Sequence, residues 1–593
     1  MRFPSVALLA QHAMVVLRRF PWTLVAGGLA AVTANAGIDG EANDVWARAT
    51  FVALLGLPVT IALTLLGEAR GWSLGRRAVT QLAGAVALGL FFAVWPGIEW
   101  RHEAIRYAQL SAALHLAVAF LPFLGTAESG AFWQYNRRLF LGFLRAYVFS
   151  AVLFGGIAVA LTALNQLFGM DIKGESYARI WFFIAFVVNT WIFLAAVPVD
   201  LPGLARDTEY PRALKIFAQY ILTPLAFTYL IILLAYLVKI VAGAEWPSGW
   251  IGWLVASVSV TGLLGFLLVH PLRADPAEGW IRTYTRWLFI GLIPAALMLL
   301  VAFWKRIVPY GLTEPRTLGL VLGAWLLGLA LFYTLRANAG IRIIPITLAA
   351  LLLVSLYGPV SLARVSISSQ GKRLQKMLAQ GATAATSEGA REASAALRFL
   401  VDHKAAGEIA ARIGRPLPAI DWNRVDPHGS GQDSLARQIM KVAGGTYVPQ
   451  YGRGGETHFN LTSNQPVALS GFDWAVPVAS MDNSIRVIEG DTVTAVSQPA
   501  GTGTARIRVG SDTVAFDLRP MARWYLDSVY PRMPDGSARL RVESNDERRS
   551  ALEVTNMSGT WSRDSLSVNY WTGSLLLRAR RDQTESSRSD DGS

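Results

Sequence analysis

Up to residue 363 the chain alternates long apolar runs with short polar interruptions, and from Arg364 onward these give way to short alternating stretches between Gly, Asp, Asn and Pro. An apolar run of about 17–25 residues is the length of a helix that crosses a bilayer. Such runs lie near Pro21 to Ile38, Ala49 to Leu66, Thr80 to Pro96, Ile105 to Leu124, Leu139 to Leu164 and Tyr177 to Val197. They continue near Leu214 to Ala242, Gly249 to His270, Trp287 to Trp304, Thr317 to Leu335 and Ile343 to Ala363, so eleven spans are expected within a membrane domain of residues 21–363. The preceding SVALLAQHAMVVL is amphipathic and ends at Arg18 and Arg19. Residues 1–20 are therefore expected as an interfacial helix, and Ala34-Asn35-Ala36 as part of an uncleaved span.

Beyond the last run, residues 364–443 read as a mainly helical connector, in which GAREASAALRFLVDHKAAGEIAARIG has Ala/Leu periodicity and stops at Gly414 before Pro416 and Pro418. Residues 444–581 read as a β-rich domain. THFNLTS, SIRVIEG, DTVTAVSQ, TARIRVG, DTVAFDL, ARLRVES, ALEVTNM, SLSVNYW and SLLLRAR alternate apolar and polar residues between turn signals, interrupted by a helical MARWYLDSVY. A sandwich is one arrangement this pattern suits, and residues 582–593 are expected to be disordered. The fold class expected is a polytopic α-helical membrane bundle of about 11 spans followed by a β-rich (α+β) extramembrane C-terminal domain.

Composition agrees with the pattern: 53% of residues are hydrophobic and only 16% charged, with a mean hydropathy of +0.37, too apolar for a soluble protein of this size. Most of the net charge of +13 lies before Arg364. Basic loops beside spans set topology and meet anionic headgroups, so the partner implied is the lipid bilayer and not nucleic acid. With the N-terminus inside, Arg2, Arg18, Arg19, Arg70, Arg76, Arg77, Arg137, Arg138, Arg206, Arg212, Lys215, Arg273, Arg282, Arg286, Arg336 and Arg342 share one side, and fewer cations face the other. The localisation expected is thus the bacterial inner membrane, multi-pass, with a cytoplasmic N-terminus and a periplasmic C-terminal domain. Trp22, Trp46, Trp95, Trp181, Trp246, Trp250, Trp287 and Trp304 fall near span ends, as interfacial anchors do. Cysteine is absent, which excludes disulfides and thiolate chemistry.

The run LKIFAQYILTPLAFTYLIILLAYLVKI with the EWPSGW after it resembles the bacterial membrane proteins grouped as domain of unknown function 4153. NTWIFLAAVP before it, IPAALMLLVAFWKRIVPYGLTEPR after it and SLSVNYWTGSLLLR in the tail are similar to the same family. The resemblance implies a multi-span inner-membrane protein with a C-terminal extramembrane domain, and supplies no catalytic residues.

Candidate chemistry is sparse. The spans as drawn contain no Asp or Glu, the groups a proton- or sodium-coupled transporter needs near the midplane. His115 either relays a proton or is a neutral histidine bonded to another helix. Arg145 either meets an anionic substrate or headgroup, or snorkels to the surface. Asn189 and Thr190 interrupt the sixth span, while Gln219 and Thr223 share a face of the seventh; these either line a polar cavity or make interhelical hydrogen bonds. Pro224 is expected to kink its helix by leaving the Tyr220 carbonyl without a donor. Glu99, Arg101, His102 and Glu103 in GIEWRHEAIR read as a solvated connector. In the tail, His403, His428 and His458 are too scattered for a metal motif, and neither a phosphate loop nor a nucleophile elbow is present. No catalytic, cofactor-binding or metal-binding residues are assigned and no cofactor is expected. The function expected is a non-enzymatic anchor presenting the β-rich domain for envelope interaction, assembly or sensing, its partner an envelope protein or polymer. The alternatives are a permease or channel-like transporter of a small solute or lipid, and a membrane-embedded enzyme acting on a lipid-linked substrate.

Overall fold

A computed structural model describes residues 6–39, 44–98, 100–125, 129–207, 209–243, 251–336, 339–380, 388–417, 420, 422, 430–448, 457–462, 467, 469, 471–480, 484–488, 491–496, 503–522, 541–543, 550–561 and 566–578. Chain compactness divides it into two units, Met1–Arg373 with Asp402–Glu408, and Leu374–Val401 with Ile409–Ser593.

In the first unit, nine helices among the described residues are long and apolar enough to cross a membrane: Asp44–Ala69, Leu74–Val94, Arg101–Phe123, Gly130–Phe168, Gly174–Ala196, Arg212–Gly243, Ile251–Arg273, Trp280–Tyr310 and Glu314–Leu335. A tenth candidate is the bent pair Ala13–Arg19 and Pro21–Ile38, whose axes meet at 96°. Pro21 explains the bend, because its ring disfavours helical backbone at Phe20, and Phe20 is fully buried in the corner. The eleventh expected span is interrupted. Its helix covers only Ile343–Val354, 12 residues, about 18 Å at 1.5 Å per residue. The chain then turns through Gly358, at φ +86°, and Pro359 before Leu362–Ala379 resumes the helix. Leu362 closes this break by donating its N–H to the Ser355 carbonyl at 3.1 Å.

Lipid provides no hydrophobic drive between helices, so close packing and polar pairs must hold the seams. A Cβ on Gly291 would fall 2.7 Å from Leu230, and one on Gly319 2.1 Å from Phe303. The rings of Phe266, Phe289 and Tyr333 form a buried aromatic group, with Phe289 stacked on Tyr333 at 4.7 Å. Elsewhere the hydroxyls of Thr23 and Thr60 pair at 2.9 Å, and Gln81 donates to the Thr60 carbonyl and the Thr64 hydroxyl. Trp95 departs from its expected anchoring role: it is buried and stacks between Phe91 and Tyr107. Trp22, Trp46, Trp181, Trp287 and Trp304 are exposed, and Trp246 and Trp250 lie outside the described residues.

The second unit carries two antiparallel sheets. One has the order β1-β8-β9-β2, from β1 (Thr457–Thr462), β2 (Trp474–Ala479), β8 (Ala551–Trp561) and β9 (Leu566–Leu577), with β7 (Arg541–Glu543) also on β8. The other runs β3 (Arg486–Ile488), β4 (Asp491–Ala495), β5 (Thr504–Val509) and β6 (Asp512–Asp517) in sequence order. Val476, Val493, Ile507, Phe516, Val554 and Leu575 from both sheets share one core, the defining relation of a sandwich. β2 is not among the strands expected from the sequence; its Pro477 is tolerated because β2 is an edge strand. The described parts of SLSVNYW and SLLLRAR fall in the single strand Leu566–Leu577, and Gly573 within it is no turn: a Cβ there would lie 2.3 Å from the Glu553 carbonyl. The helix expected at MARWYLDSVY lies outside the described residues from Arg523 onward.

Gly27 and Gly28 offer a matched test of the membrane packing. A Cβ on Gly27 would sit 2.5 Å from the Phe186 carbonyl, whereas one on Gly28 meets nothing within 4 Å. Gly27→Val should lower the thermal-unfolding midpoint in detergent, an overpacking cost of about 1–3 kcal/mol. Gly28→Val should leave the midpoint unchanged, and equal effects would contradict the seam.

Candidate functional site

The intramembrane polar residues do not converge. His115 is on an outward face and its Nδ1 donates to the Ser111 carbonyl of its own helix at 2.8 Å, not to another helix. Arg145 is exposed on the Gly130–Phe168 helix. Thr190 is buried, and the amide oxygen of half-buried Asn189 lies 3.5 Å from the Ser150 hydroxyl. Gln219 is half-buried, Thr223 buried and Pro224 exposed.

Both polar segments sit at wide helical turns. Residues Ile184–Val188 and Phe217–Leu222 are π-helical, so the Asn189 N–H donates to Ile184 and the Thr223 N–H to Ala218, each five residues back. In the seventh helix the cause is at hand: Pro224 can neither donate to Tyr220 nor tolerate its carbonyl, and the extra residue of the wide turn relieves that clash. The simple kink expected there is replaced by this change of winding.

Titratable groups do gather at one end of the bundle, in a connector expected to be solvated. The Arg101–Phe120 helix starts within GIEWRHEAIR, so Glu103 enters its first turn and is buried. Glu314 likewise opens the next-to-last span, where Pro315 suits the first helical turn. Carboxylates at both helix N-termini are favoured by the unpaired N–H groups there. Glu103 Oε1 accepts from Arg106 and lies 3.2 Å from His102 Nε2. Glu314 Oε1 bonds His403 Nε2, both side chains almost fully buried. The two imidazoles stack at 4.7 Å with 26° between their planes, joining the pairs. Lys404 places its ammonium 4.4 Å from the ring of buried Trp100, and Arg106 lies over Tyr357. His102 Nδ1 is buried without a hydrogen-bond partner. Among the described residues no group of three or more His, Cys, Asp or Glu has the geometry to hold a metal ion. Glu99 lies outside those residues.

Gln109, deeper on the same helix, donates to Ser355 at the break of the last span. Gln370 donates to the carbonyls of Tyr310 and Leu312, and the Leu312 N–H to Ser369. These bonds tie the break, the last helix and the Glu314 turn together.

The opposite end is held by other ion pairs. Arg19 grips Glu68 through Nε and Nη2 at 2.9 and 2.7 Å and also donates to the carbonyls of Val197 and Pro198. Asp207 accepts from Arg137 at 3.2 Å and Arg138 at 2.9 Å. Burial would raise its carboxyl pKa, but the Glu209 N–H and the guanidiniums of Arg138 and Arg137 outweigh burial and hold it below the usual carboxylate range. Glu278 bonds Lys215 and Trp280.

The profile of the family described as Domain of unknown function (DUF4153) matches residues 23–387. The chain belongs to the DUF4153 family. This agrees with the resemblance drawn from the span segments, although the tail segment SLSVNYWTGSLLLR lies beyond the matched region. An uncharacterized protein of Pasteurella multocida (strain Pm70) is 24% identical over 228 residues, 37% of this chain. The alignment spans only 38% of that relative. No solved structure matches. In this DUF4153 protein the matched region contains Trp100, His102, Glu103, Arg106, Glu314 and Tyr357, while His403 and Lys404 come from beyond it.

Asp207 gives a pH test with a defined sign. A carboxyl whose pKa is lowered by folding stabilises the fold above its ordinary value near 3.9, and that contribution is lost as pH falls through the folded value. Thermal midpoints measured from pH 7 down to pH 3 should drop for the wild type over the acid part of this range. Asp207→Asn should start lower at pH 7 and show a shallower acid decline; parallel curves would contradict the pairing.

Proposed function

We propose that this DUF4153 protein is a non-enzymatic anchor in the bacterial inner membrane, presenting its β-rich unit on the extracytoplasmic side for envelope interaction, assembly or sensing. The observation that carries the reading is the fixing of the Asp402–Glu408 turn: the chain leaves the bundle near Arg373, returns to it through His403 and Lys404, and leaves again. Orientation is supported by charge, since Lys and Arg flanking one set of span ends, Arg18, Arg19, Arg70, Arg76, Arg77, Arg137, Arg138, Arg206, Arg212 and Lys215 among them, outnumber those flanking the other. Alkaline phosphatase fused after Val442 in the intact cell should be active, and a green fluorescent fusion there dark. The reverse pattern would overturn the orientation. Deleting residues 409–593 from the native gene should sensitise cells to envelope stress, and unchanged tolerance would count against the presenting role.

One observation favours a permease as the second reading. π turns recur where helices rearrange in function, and here two of them adjoin Asn189 with Thr190 and Gln219 with Thr223. Reconstituted vesicles tested against a solute panel should then show a flux that Asn189→Ala and Gln219→Ala each reduce. A panel without flux, or a flux indifferent to both changes, would set this reading aside.

A further inference from the structure

We infer that Arg145, with Arg138 two turns nearer the start of the same helix, forms a binding site for the phosphate of an anionic phospholipid on the lipid-facing flank of the Gly130–Phe168 helix. The site goes beyond the anchor reading and holds for either orientation of the chain.

Length places Arg145 at a membrane boundary. The Gly130–Phe168 helix has 39 residues, about 58 Å at 1.5 Å per residue, against a hydrocarbon core of about 30 Å. From Ala146 to Phe168 it carries no charged residue, and that stretch alone, about 34 Å, crosses the core. Arg145 therefore meets the bilayer where hydrocarbon gives way to headgroups, and Arg138 lies about 10 Å farther out. Only 6% of the apolar stretch of this helix is buried, against 44% for the Trp280–Tyr310 helix, so lipid covers most of it. Phe143, Leu144, Phe149 and Val152 around Arg145 are exposed. The seam side is closed, since a Cβ on Gly142 would fall 2.7 Å from Ala196 and both Ala146 and Ser150 are buried. A ligand reaches Arg145 from the lipid side.

Charge decides what that ligand is. A guanidinium keeps its charge, and among the described residues the exposed Arg145 side chain has no hydrogen-bond or ion-pair partner in the protein. Acyl chains alone are a costly surrounding for it. The connection 197–211 packs on the start of this helix through Gln134 and Arg137. Of its acids, Asp200 accepts from the Gly203 N–H, Asp207 from Arg137 and Arg138, and Glu209 is exposed; none bonds Arg145. The anion that reaches Arg145 at this depth is the phosphate of a lipid in the adjoining leaflet.

Helix geometry aims the side chains. The Cα–Cβ bond of a helical residue leans toward the helix N-terminus, so Arg145 extends back toward the headgroups, the direction in which a long cationic stem snorkels. Seven residues apart, Arg138 and Arg145 share a face. The Arg138 side chain is 42% exposed and gives one donor to Asp207, and a guanidinium has five. A phosphodiester between the two takes a fork of donors from Arg145 and a further one from Arg138. A zwitterionic lipid offers the same phosphate but brings its own cation beside both arginines, whereas an anionic lipid does not.

The test is native mass spectrometry of the full chain in detergent micelles, with dioleoylphosphatidylglycerol or dioleoylphosphatidylcholine added at equal concentration. The wild type should retain the phosphatidylglycerol adduct at least fivefold more than the phosphatidylcholine one. Arg145→Gln should lose at least fivefold of that adduct, and Arg145→Lys, which keeps the charge without the fork, should lose less. Arg76→Gln, at the exposed start of the equally lipid-facing Leu74–Val94 helix, should lose none. Equal retention of the two lipids, an Arg145→Gln adduct as strong as the wild type's, or an equal loss in Arg76→Gln would overturn the site. The thermal midpoint of Arg145→Gln in lipid-free detergent should match the wild type; a fall would make Arg145 a structural residue and overturn the site as well.

Discussion

The cost of leaving charge in hydrocarbon governs this molecule. A carboxylate or guanidinium at the centre of a span costs about 2.5–3.5 kcal/mol or more, while a hydrogen bond between membrane helices contributes only about 0.6 kcal/mol. About five such bonds would be needed to offset one central charge, and the buried carboxylates accordingly lie at the bundle ends. Glu68, Asp207 and Glu278 are paired with Arg19, Arg137, Arg138 and Lys215 at one end. Glu103 and Glu314 are paired with Arg106 and two histidines at the other. Between the ends, seams are built from aromatic rings, glycine contacts and hydroxyl or amide pairs such as Thr23 with Thr60.

That division sets how the polar segments inside the spans are read. His115 bonds its own helix and Arg145 is exposed, neither near Asn189 or Gln219 by any bond, so these residues do not assemble into a coupling site. The π turns are where the interior departs from regular winding, each next to polar side chains. At the bundle end the stacked imidazoles have a different character. They join the family-matched region to a turn beyond it.

Much of this was legible in the sequence, and the remainder failed for identifiable reasons. Apolar runs located the spans because the bilayer demands them over about 20 residues. Averaged hydropathy says little about where a helix begins, so Glu103 and Glu314 fell just outside spans that in the structure include them. His403 lies 89 residues from Glu314, a pairing no local pattern encodes. Pro224 announced a disturbance of its helix, but Ile184–Val188 has no proline to mark its wide turn. In the sandwich, the edge strand Trp474–Ala479 was missed and Gly573 resembled a turn, because a single residue is read before its neighbours are known.

The central claim is that His403 and Glu314 bind each other and so fix the returning turn to the bundle. A double-mutant cycle on thermal or denaturant stability in detergent, using His403→Gln, Glu314→Gln and the combination, measures that coupling directly. A buried pair of this kind predicts a coupling energy of about 1–3 kcal/mol, with the double variant less destabilised than the sum of the single ones. Strictly additive effects would contradict the account.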